Sequence, residues 1–123
     1  MATYVEINGK KHPAVITGRL NDKDWNNRES KAIEVKMSYA QAMKLFVNDV
    51  AWNIVQDMEV MKEVENENGE PVVTHVIEQE VYDNSEYSIA GDVVDHRDGT
   101  VTVKMGKPTA EELLLMFEEA LGL

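Results

Sequence analysis

The sequence contains no cysteine, which excludes both a disulfide framework and a thiolate metal site. This absence is typical of proteins from a reducing cytoplasm. Basic residues are also scarce: 12 Lys and Arg stand against 23 Asp and Glu, giving a net charge of −11. So acidic a chain lacks the basic surface that binds nucleic-acid phosphates or anionic membranes, and neither is expected as a partner. The longest apolar run, Leu113–Phe117, has five residues, whereas a membrane span needs about 20.

Recognisable catalytic motifs are missing as well. The chain has no glycine-rich phosphate-binding loop, and none of its serines lies in a nucleophile elbow. The densest group of possible metal ligands comprises Asp92, Asp95, His96 and Asp98. These residues fall in a predicted hairpin turn, where turn geometry alone favours them. We therefore expect no catalytic residue, no cofactor and no metal, and hence a protein that is not an enzyme.

The most prominent feature of the sequence is a long β-hairpin over residues 51–83. Its arms are Ala51–Glu65 and Pro71–Asp83, and Asn68-Gly69 supplies a turn in which both residues tolerate positive φ. Each arm is more than twice the usual strand length of about 5–6 residues. Such a hairpin either protrudes as an arm that can pair with a neighbour or curves over the core. Its acidic tip either protects an open strand edge or docks on a basic partner.

Two other hairpins have the same turn chemistry, at Asn8-Gly9 and Asp98-Gly99. Their arms are Thr3–Ile7 with Lys11–Leu20, and Glu86–Val94 with Thr100–Met105. A lone strand, Lys31–Met37, precedes a helix that Ser38 caps and that runs to about Asp49. The sequence therefore predicts an α+β, mainly β, single domain over residues 1–123. Its antiparallel curled sheet or partial barrel has about seven strands, from three hairpins and one strand, and two helices cover it.

A final helix begins at Thr109, which forms a capping box with Glu112, and stops at Gly122. It carries more apolar surface than one buried face needs, because Leu114 and Leu121 widen its main stripe and Leu115 falls nearly opposite. Either the helix is sunk in a groove between the sheet and the first helix, or these residues seal a subunit interface. The candidate interface residues are Leu114, Leu115 and Leu121 in the helix, with Met61, Glu63 and Glu67 in the long hairpin.

Three aromatic residues are candidates for contact with a ligand: Trp25, Trp52 and Tyr87. Trp25 stands alone in a polar loop, where it either covers the core or contacts a partner. Trp52 and Tyr87 belong to strands and could face a ligand in the concave side of the sheet. Gly91, in mid-strand, predicts a bulge or a close approach of another group to the backbone.

Three segments follow a common layout: the opening hairpin Tyr4–Lys11, the helix ending at Leu45-Phe46 before Trp52–Val55, and the late segment Glu86–Asp92. In this layout the chain resembles small uncharacterised proteins of Firmicutes prophages that are encoded near tail genes. The resemblance provides no catalytic residues. It implies a structural or assembly role in a tail or baseplate, in the cytoplasm of a bacterial host or incorporated into a virion.

Two classes of function remain open at this point. The first is a non-enzymatic structural or assembly protein of a phage tail that forms a homo-oligomer or docks on other tail proteins. The second is a binding module that holds a small ligand or a peptide in the concave face of its sheet.

Overall fold

The structure is a computed structural model that describes residues 1–123. It contains seven strands and two helices. In chain order they are β1 (Thr3–Ile7), β2 (Lys10–Asp22), β3 (Arg28–Lys36), α1 (Tyr39–Leu45), β4 (Trp52–Glu65), β5 (Pro71–Asp83), β6 (Ile89–Asp95), β7 (Thr100–Gly106) and α2 (Ala110–Ala120).

All seven strands lie in one sheet, in the order β5-β4-β1-β2-β3-β7-β6, and every neighbouring pair is antiparallel. The sheet is curled but not closed, and 55% of the residues are in strands against 15% in helices. The predicted fold class, α+β and mainly β with about seven strands, is confirmed. The strand predicted to stand alone is β3, which pairs with β2 on one side and with β7 on the other.

The core lies on the concave face, where α1 packs against β6 and β7 at one end of the strand order. Alternate residues of the central strands point into it, as period-two patterning requires. The largest fully buried side chains include Trp52, Ile7, Ile33 and Met105. Ala42 and Phe46 reach the same cluster from α1 and its C-terminal end. Of the two helices, only α1 contributes a buried residue to this core.

Three predicted boundaries differ from the structure by three residues or more. Strand β3 begins at Arg28 rather than at Lys31, so the polar loop around Trp25 is shorter than predicted. The first helix ends at Leu45 rather than near Asp49, because Asp49 adopts a positive φ of 65° and its amide donates to the Ser88 carbonyl at 2.8 Å. Strand β6 begins at Ile89 rather than at Glu86. The preceding residues form a turn in which the Tyr87 amide donates to the Asn84 carbonyl at 3.0 Å. The hydrogen bond from Asp49 to Ser88 links the loop after α1 to the turn before β6.

The turn of the long hairpin also differs from the expected one. Gly69 has a positive φ of 76°, but Asn68 does not. Instead, the Asn66 carboxamide oxygen accepts from the amides of Asn68 and Glu70, both at 2.9 Å. The turn is therefore a wider loop stabilised by the side chain of Asn66, in the manner of an Asx-turn.

The long hairpin extends past the rest of the sheet. Strand β1 pairs with β4 only as far as Gln56, whereas the β4–β5 ladder continues to Glu65 opposite Pro71. The last eight pairs of that ladder, from Met58 with Glu78 outward, have no third strand beside them. At about 3.3 Å per residue this outer part is about 26 Å long. We refer to it, residues 58–78, as the arm.

Helix α2 buries none of its residues, so the expectation that both helices cover the sheet is wrong for α2. It is not sunk in a groove between the sheet and α1, because its large apolar side chains remain at least half exposed. The predicted capping box is present: the Thr109 hydroxyl accepts from the Glu112 amide, and the Glu112 carboxylate accepts from the Thr109 amide. Neither helix has the length and apolar content needed to cross a membrane.

Candidate interaction surfaces

Helix α2 is fastened to the body at its first turn by one ion pair. The guanidinium of Arg28, whose side chain is almost fully buried, donates to both Glu112 carboxylate oxygens at 2.6 and 3.1 Å. It also donates to the Lys107 carbonyl at 3.1 Å. Hydrogen bonding from Arg28 is the main reason that the pKa of Glu112 is lowered to about 2. The two-pronged geometry fixes the direction in which α2 leaves the sheet.

Arg28 packs against Trp25, and the Trp25 ring packs in turn against two glycines. Its guanidinium carbon lies 4.7 Å from the Trp25 ring centroid, at cation–π distance. The Trp25 ring in turn lies flat against the backbone of Gly91 and Gly106, where an added Cβ would approach ring carbons to 2.7 and 2.8 Å. Gly91 falls within a register shift between Ala90 and Val93, so both the bulge and the close approach predicted there are confirmed. Trp25, one of the candidate ligand contacts, covers the sheet and supports α2.

This attachment decides which side of α2 faces the body. Glu112, Leu115 and Met116 share one side at helical spacing, and they line a cleft against Asn48, Asp49, Ser88 and Ile89. Leu114, Phe117 and Leu121 share another side, and Phe117 is 62% exposed. We call the exposed apolar side chains Leu113, Leu114, Phe117 and Leu121 the α2 stripe. Of the interface candidates, Leu114 and Leu121 belong to the stripe, whereas Leu115 lies beside the cleft.

The arm carries the remaining interface candidates, and all three are exposed. Met61 opposes His75 on one face of the hairpin, with Glu63 opposite Val73 on the same face. Glu67 lies in the loop at the tip. Ile77 and Val81 continue the apolar pattern of this face along β5, and both are more than half exposed. The structure therefore places the helix and hairpin candidates at separate exposed sites.

The other two candidate ligand contacts, Trp52 and Tyr87, form part of the core. Trp52 is 1% exposed, and its indole N–H donates to the Tyr87 carbonyl at 3.2 Å. The two rings meet edge to face with centroids 6.3 Å apart. Trp52 thus has almost no surface that a ligand could touch, which corrects its interpretation as ligand-facing. The correction has a simple cause, because α1 and Phe46 fill the concave face that was expected to be open.

A charged cluster surrounds Tyr87 where its ring reaches the surface. The Tyr87 hydroxyl donates to Glu29, and Lys107 pairs with the same carboxylate at 3.0 Å. Burial, followed by the hydrogen bond to Glu29, raises the pKa of Tyr87 to about 12. Lys31 and Lys107 both lie within 5.0 Å of the ring centroid. The hydroxyl, carboxylate and ammonium groups of this cluster are hydrogen-bonded or paired with one another. They hold Tyr87 in position, and none of them is left as a free acid or base.

A second polar cluster is buried beneath β2. The Asp22 carboxylate is fully buried and accepts from Ser30 and Lys104, both at 2.9 Å. The Lys104 hydrogen bond is the main cause of the lowered pKa of Asp22. The adjacent cavity holds about 80 Å³, lined by Asp24, Trp25, Gly91, Asp92 and Lys104. Two of the possible metal ligands near Asp92 make hydrogen bonds within the β6–β7 hairpin. Asp98 accepts from the Thr100 amide at 2.9 Å, and His96 is hydrogen-bonded to Thr102 at 2.7 Å.

Sequence reasoning missed Arg28, the residue that orients α2. It was predicted to lie in the polar loop, three residues after Trp25, whereas the structure makes it the first residue of β3. A cationic residue near a tryptophan, such as Arg28 near Trp25, is common in sequences. A glutamate in a helix capping box, such as Glu112, is also common. Nothing in their spacing shows that the fold brings the three side chains together.

Comparison with models of protein families, with curated proteins and with solved structures found no match to this chain.

Proposed function

We propose that this protein is a non-enzymatic structural or assembly protein that acts by self-association through the α2 stripe. The observation that carries the proposal is the orientation of α2. Its first turn is fixed by Arg28 and Glu112, and the side away from the body presents Leu114, Phe117 and Leu121 to solvent. A helix with an apolar side that covers nothing in its own chain is suited to cover something in another. The proposed biological setting, a phage tail, rests on the resemblance in layout alone.

The magnitude of this contact favours weak pairing through α2 alone. Completing the burial of a half-exposed Leu or Phe contributes about 1 kcal/mol, half of the value for full burial. The four side chains of the stripe therefore contribute about 4 kcal/mol per copy, and about 8 kcal/mol when two copies bury their stripes together. Association costs about 4–15 kcal/mol in lost rigid-body freedom. Because these two energies are comparable, an assembly built through α2 alone is marginal and needs a second contact between copies, or a high local concentration, to be stable.

Charge distinguishes a second copy from a basic partner. Two copies each carry −11 and repel one another. Raising the salt concentration from about 0.01 M to about 0.15 M shortens the Debye length from about 30 Å to about 8 Å. Self-association should then become stronger, because the repulsion is screened while the apolar contact is not. Docking on a basic partner would become weaker under the same change.

The direct experiment measures mass in solution by light scattering over a hundredfold range of concentration, at both salt concentrations. We expect an oligomer for the wild type that Phe117→Glu dissociates, because a carboxylate cannot be buried in an apolar contact. Leu115→Glu is the matched control: it makes the same change in the same helix, on the side that faces the body. A wild type that stays monomeric throughout, or an oligomer indifferent to Phe117→Glu, would refute self-association through α2.

A binding module remains the second candidate, because one observation favours it. The cleft between α2 and two short stretches, Asn48-Asp49 after α1 and Ser88-Ile89 at the start of β6, measures about 330 Å³, within the range of ligand pockets. It lies away from the concave face, so a ligand would contact Ile89, Leu115 and Met116 instead of the aromatic candidates. A thermal-shift screen with fragment-sized compounds tests this. Stabilisation of the wild type that Ile89→Trp abolishes by filling the cleft would support it, and no stabilised condition would count against it.

A further inference from the structure

Strand β5 is an edge strand along its whole length. It is the first strand in the sheet order and pairs only with β4, so one side of its backbone has no partner over residues 71–83. Unpaired edges of this length invite pairing with another strand, and proteins usually shorten, bend or cover them. The β4–β5 register runs without a shift from Asn53 with Asp83 to Glu65 with Pro71, so no bulge bends this edge away.

The sequence of β5 is matched to an antiparallel copy of itself. Ile77 is the central residue of Pro71–Asp83, and reversing the strand about it places Val73 opposite Val81 and Val72 opposite Tyr82. Val73, Ile77 and Val81 lie on one face of the hairpin and are all more than half exposed. In this register three kinds of apolar pair form, Val72 with Tyr82, Val73 with Val81 and Ile77 with its own copy. Pairs of β-branched residues are favourable cross-strand neighbours.

The charges of β5 agree with the same register. The acidic residues Glu78, Glu80 and Asp83 all lie in its second half. Reversal about Ile77 brings them opposite Val76, Thr74 and Pro71, so that no two carboxylates are directly opposed. A parallel pairing in register would instead line up each carboxylate with its own copy, which is destabilising. The charge distribution therefore favours an antiparallel, twofold arrangement.

The opposite edge of the sheet is a poorer partner for β5. Strand β6 has seven residues, and its register shifts between Ala90 and Val93. Even its whole length could match only about half of the thirteen residues of β5, and its bulge interrupts this short match. A twofold pairing of β5 with β5 also closes as a dimer, whereas a contact of β5 with β6 is head to tail and can continue from copy to copy.

We propose that β5 is a docking edge for β5 of a second copy, antiparallel and centred on Ile77, so that two sheets join into one. The inference rests on the proposed self-association but uses a surface separate from the α2 stripe. It supplies the second contact that the weak apolar energy of α2 requires. Main-chain hydrogen bonds along the edge provide affinity, and the pattern about Ile77 sets the register.

The absence of cysteine makes this arrangement directly testable by disulfide trapping. Opposed residues in an antiparallel pair have Cα atoms about 4.5 or 5.5 Å apart, and disulfides accept about 4.4–6.8 Å. Ile77→Cys should therefore crosslink two copies under mild oxidation, because residue 77 faces itself. Val73→Cys alone should not, since its opposite is Val81, but an equimolar mixture of Val73→Cys with Val81→Cys should. Met61→Cys, on the same face but one strand inward, is the matched control.

The result expected on a non-reducing gel is several-fold more dimer for Ile77→Cys than for Val73→Cys or Met61→Cys alone. Equal crosslinking at all three positions, or none at the highest concentration of the light-scattering series, would overturn the proposal. Each position is exposed, so cysteine should not unfold the chain, and circular dichroism checks this. Repeating the trap with Phe117→Glu separates the two ideas. Trapping at residue 77 that survives this change supports the β5 contact even if α2 proves to have no role.

Discussion

The body of the protein and its two extensions use apolar residues in opposite ways. In the body, Trp52 is 1% exposed and its indole N–H is hydrogen-bonded within the core. In the extensions, α2 and the arm, comparably large side chains such as Phe117 and Ile77 are more than 60% exposed. Both regions have well-formed secondary structure, so the difference lies in tertiary contacts. Folding of a single chain buries the apolar residues of the body. It leaves the apolar residues of the extensions exposed, without a partner in the same chain.

The comparison shows that regular secondary structure and contribution to stability are separate properties. The arm is a regular part of the sheet, with unbroken pairing over its whole length. Yet hairpin pairing by itself is only marginally stable in water, and the arm has no third strand or helix against it. Substitutions in the body should therefore change the free energy of unfolding, and substitutions in the extensions should change association.

The largest effect should come from Trp52→Ala in the body. Removing this side chain leaves a cavity among β1, β4 and Tyr87, and we expect a loss of about 3–5 kcal/mol in the free energy of unfolding. Urea denaturation followed by circular dichroism measures it. A loss below about 1 kcal/mol would mean that Trp52 is not the centre of the core. The contrast between the stabilising apolar residues of the body and the exposed ones of the extensions would then fail.

A smaller loss should follow Gly106→Ala, which tests how tightly Trp25 is held. The new methyl group would lie 2.6 Å from Arg28 Cδ and 2.8 Å from a Trp25 ring carbon. Because the Arg28 guanidinium is fixed by Glu112, we expect about 1–3 kcal/mol of destabilisation. Gly18→Ala is the control: no atom lies within 4 Å of its added Cβ. A Gly106→Ala protein as stable as the control would show that Trp25 is free to move.

Glu112→Gln should loosen α2 with a characteristic dependence on pH. The pKa of Glu112 is lowered in the folded state to about 2 from its ordinary value of 4.5. The ion pair therefore stabilises the protein fully above pH 4.5, and this stability is lost as the pH falls toward 2. The Glu112 side chain is 39% exposed, so screening limits the effect to about 1 kcal/mol or less.

The measurement compares the free energy of unfolding of wild type and Glu112→Gln between pH 7 and pH 2. Using the difference between the two proteins cancels the titration of the other carboxylates. A difference that stays constant down to pH 2 would contradict the assigned cause of the pKa shift.

The smallest effect on stability should come from Val73→Thr combined with Ile77→Thr in the arm. Both side chains are more than 60% exposed, and threonine keeps the β-branched shape that suits a strand. At a concentration where the chain is monomeric we expect a change within about 0.5 kcal/mol. A loss above about 1 kcal/mol would place the arm among the elements that stabilise the body, and the contrast between the two regions would fail.

Most of the fold could be predicted from turn chemistry and alternation. Asn8-Gly9 sets the first hairpin with positive φ at both residues, and strands β1 and β5 have the predicted ends. These signals are local, because a turn residue acts on the strands beside it. The end of α1 could not be predicted in the same way. It depends on a hydrogen bond from Asp49 to Ser88, which the chain supplies only after the long hairpin.

The sequence predicted that α2 carries surplus apolar residues, but not which side of α2 faces solvent. Surplus leucines in the last helix are visible in the sequence, and Leu114 and Leu121 do lie on an exposed side. Which side faces the body depends on Arg28, which contacts Glu112 from 84 positions away along the chain. Trp52 was misjudged for a related reason, since its burial depends on where α1 packs. Periodicity reports that a face is apolar, and only tertiary contacts decide what covers it.

The order of strands also has a consequence for how the chain folds. Hairpins such as β4–β5 join neighbours in sequence and can form in about 1–10 μs. The pairings of β1 with β4 and of β3 with β7 join distant segments, so their loop closure should set the overall rate, on a scale of milliseconds to seconds. The β5 edge would then exist before the core closes. For that interval the newly made chain offers its edge before the core has formed, and a high concentration of chains under synthesis would favour pairing between incompletely folded molecules.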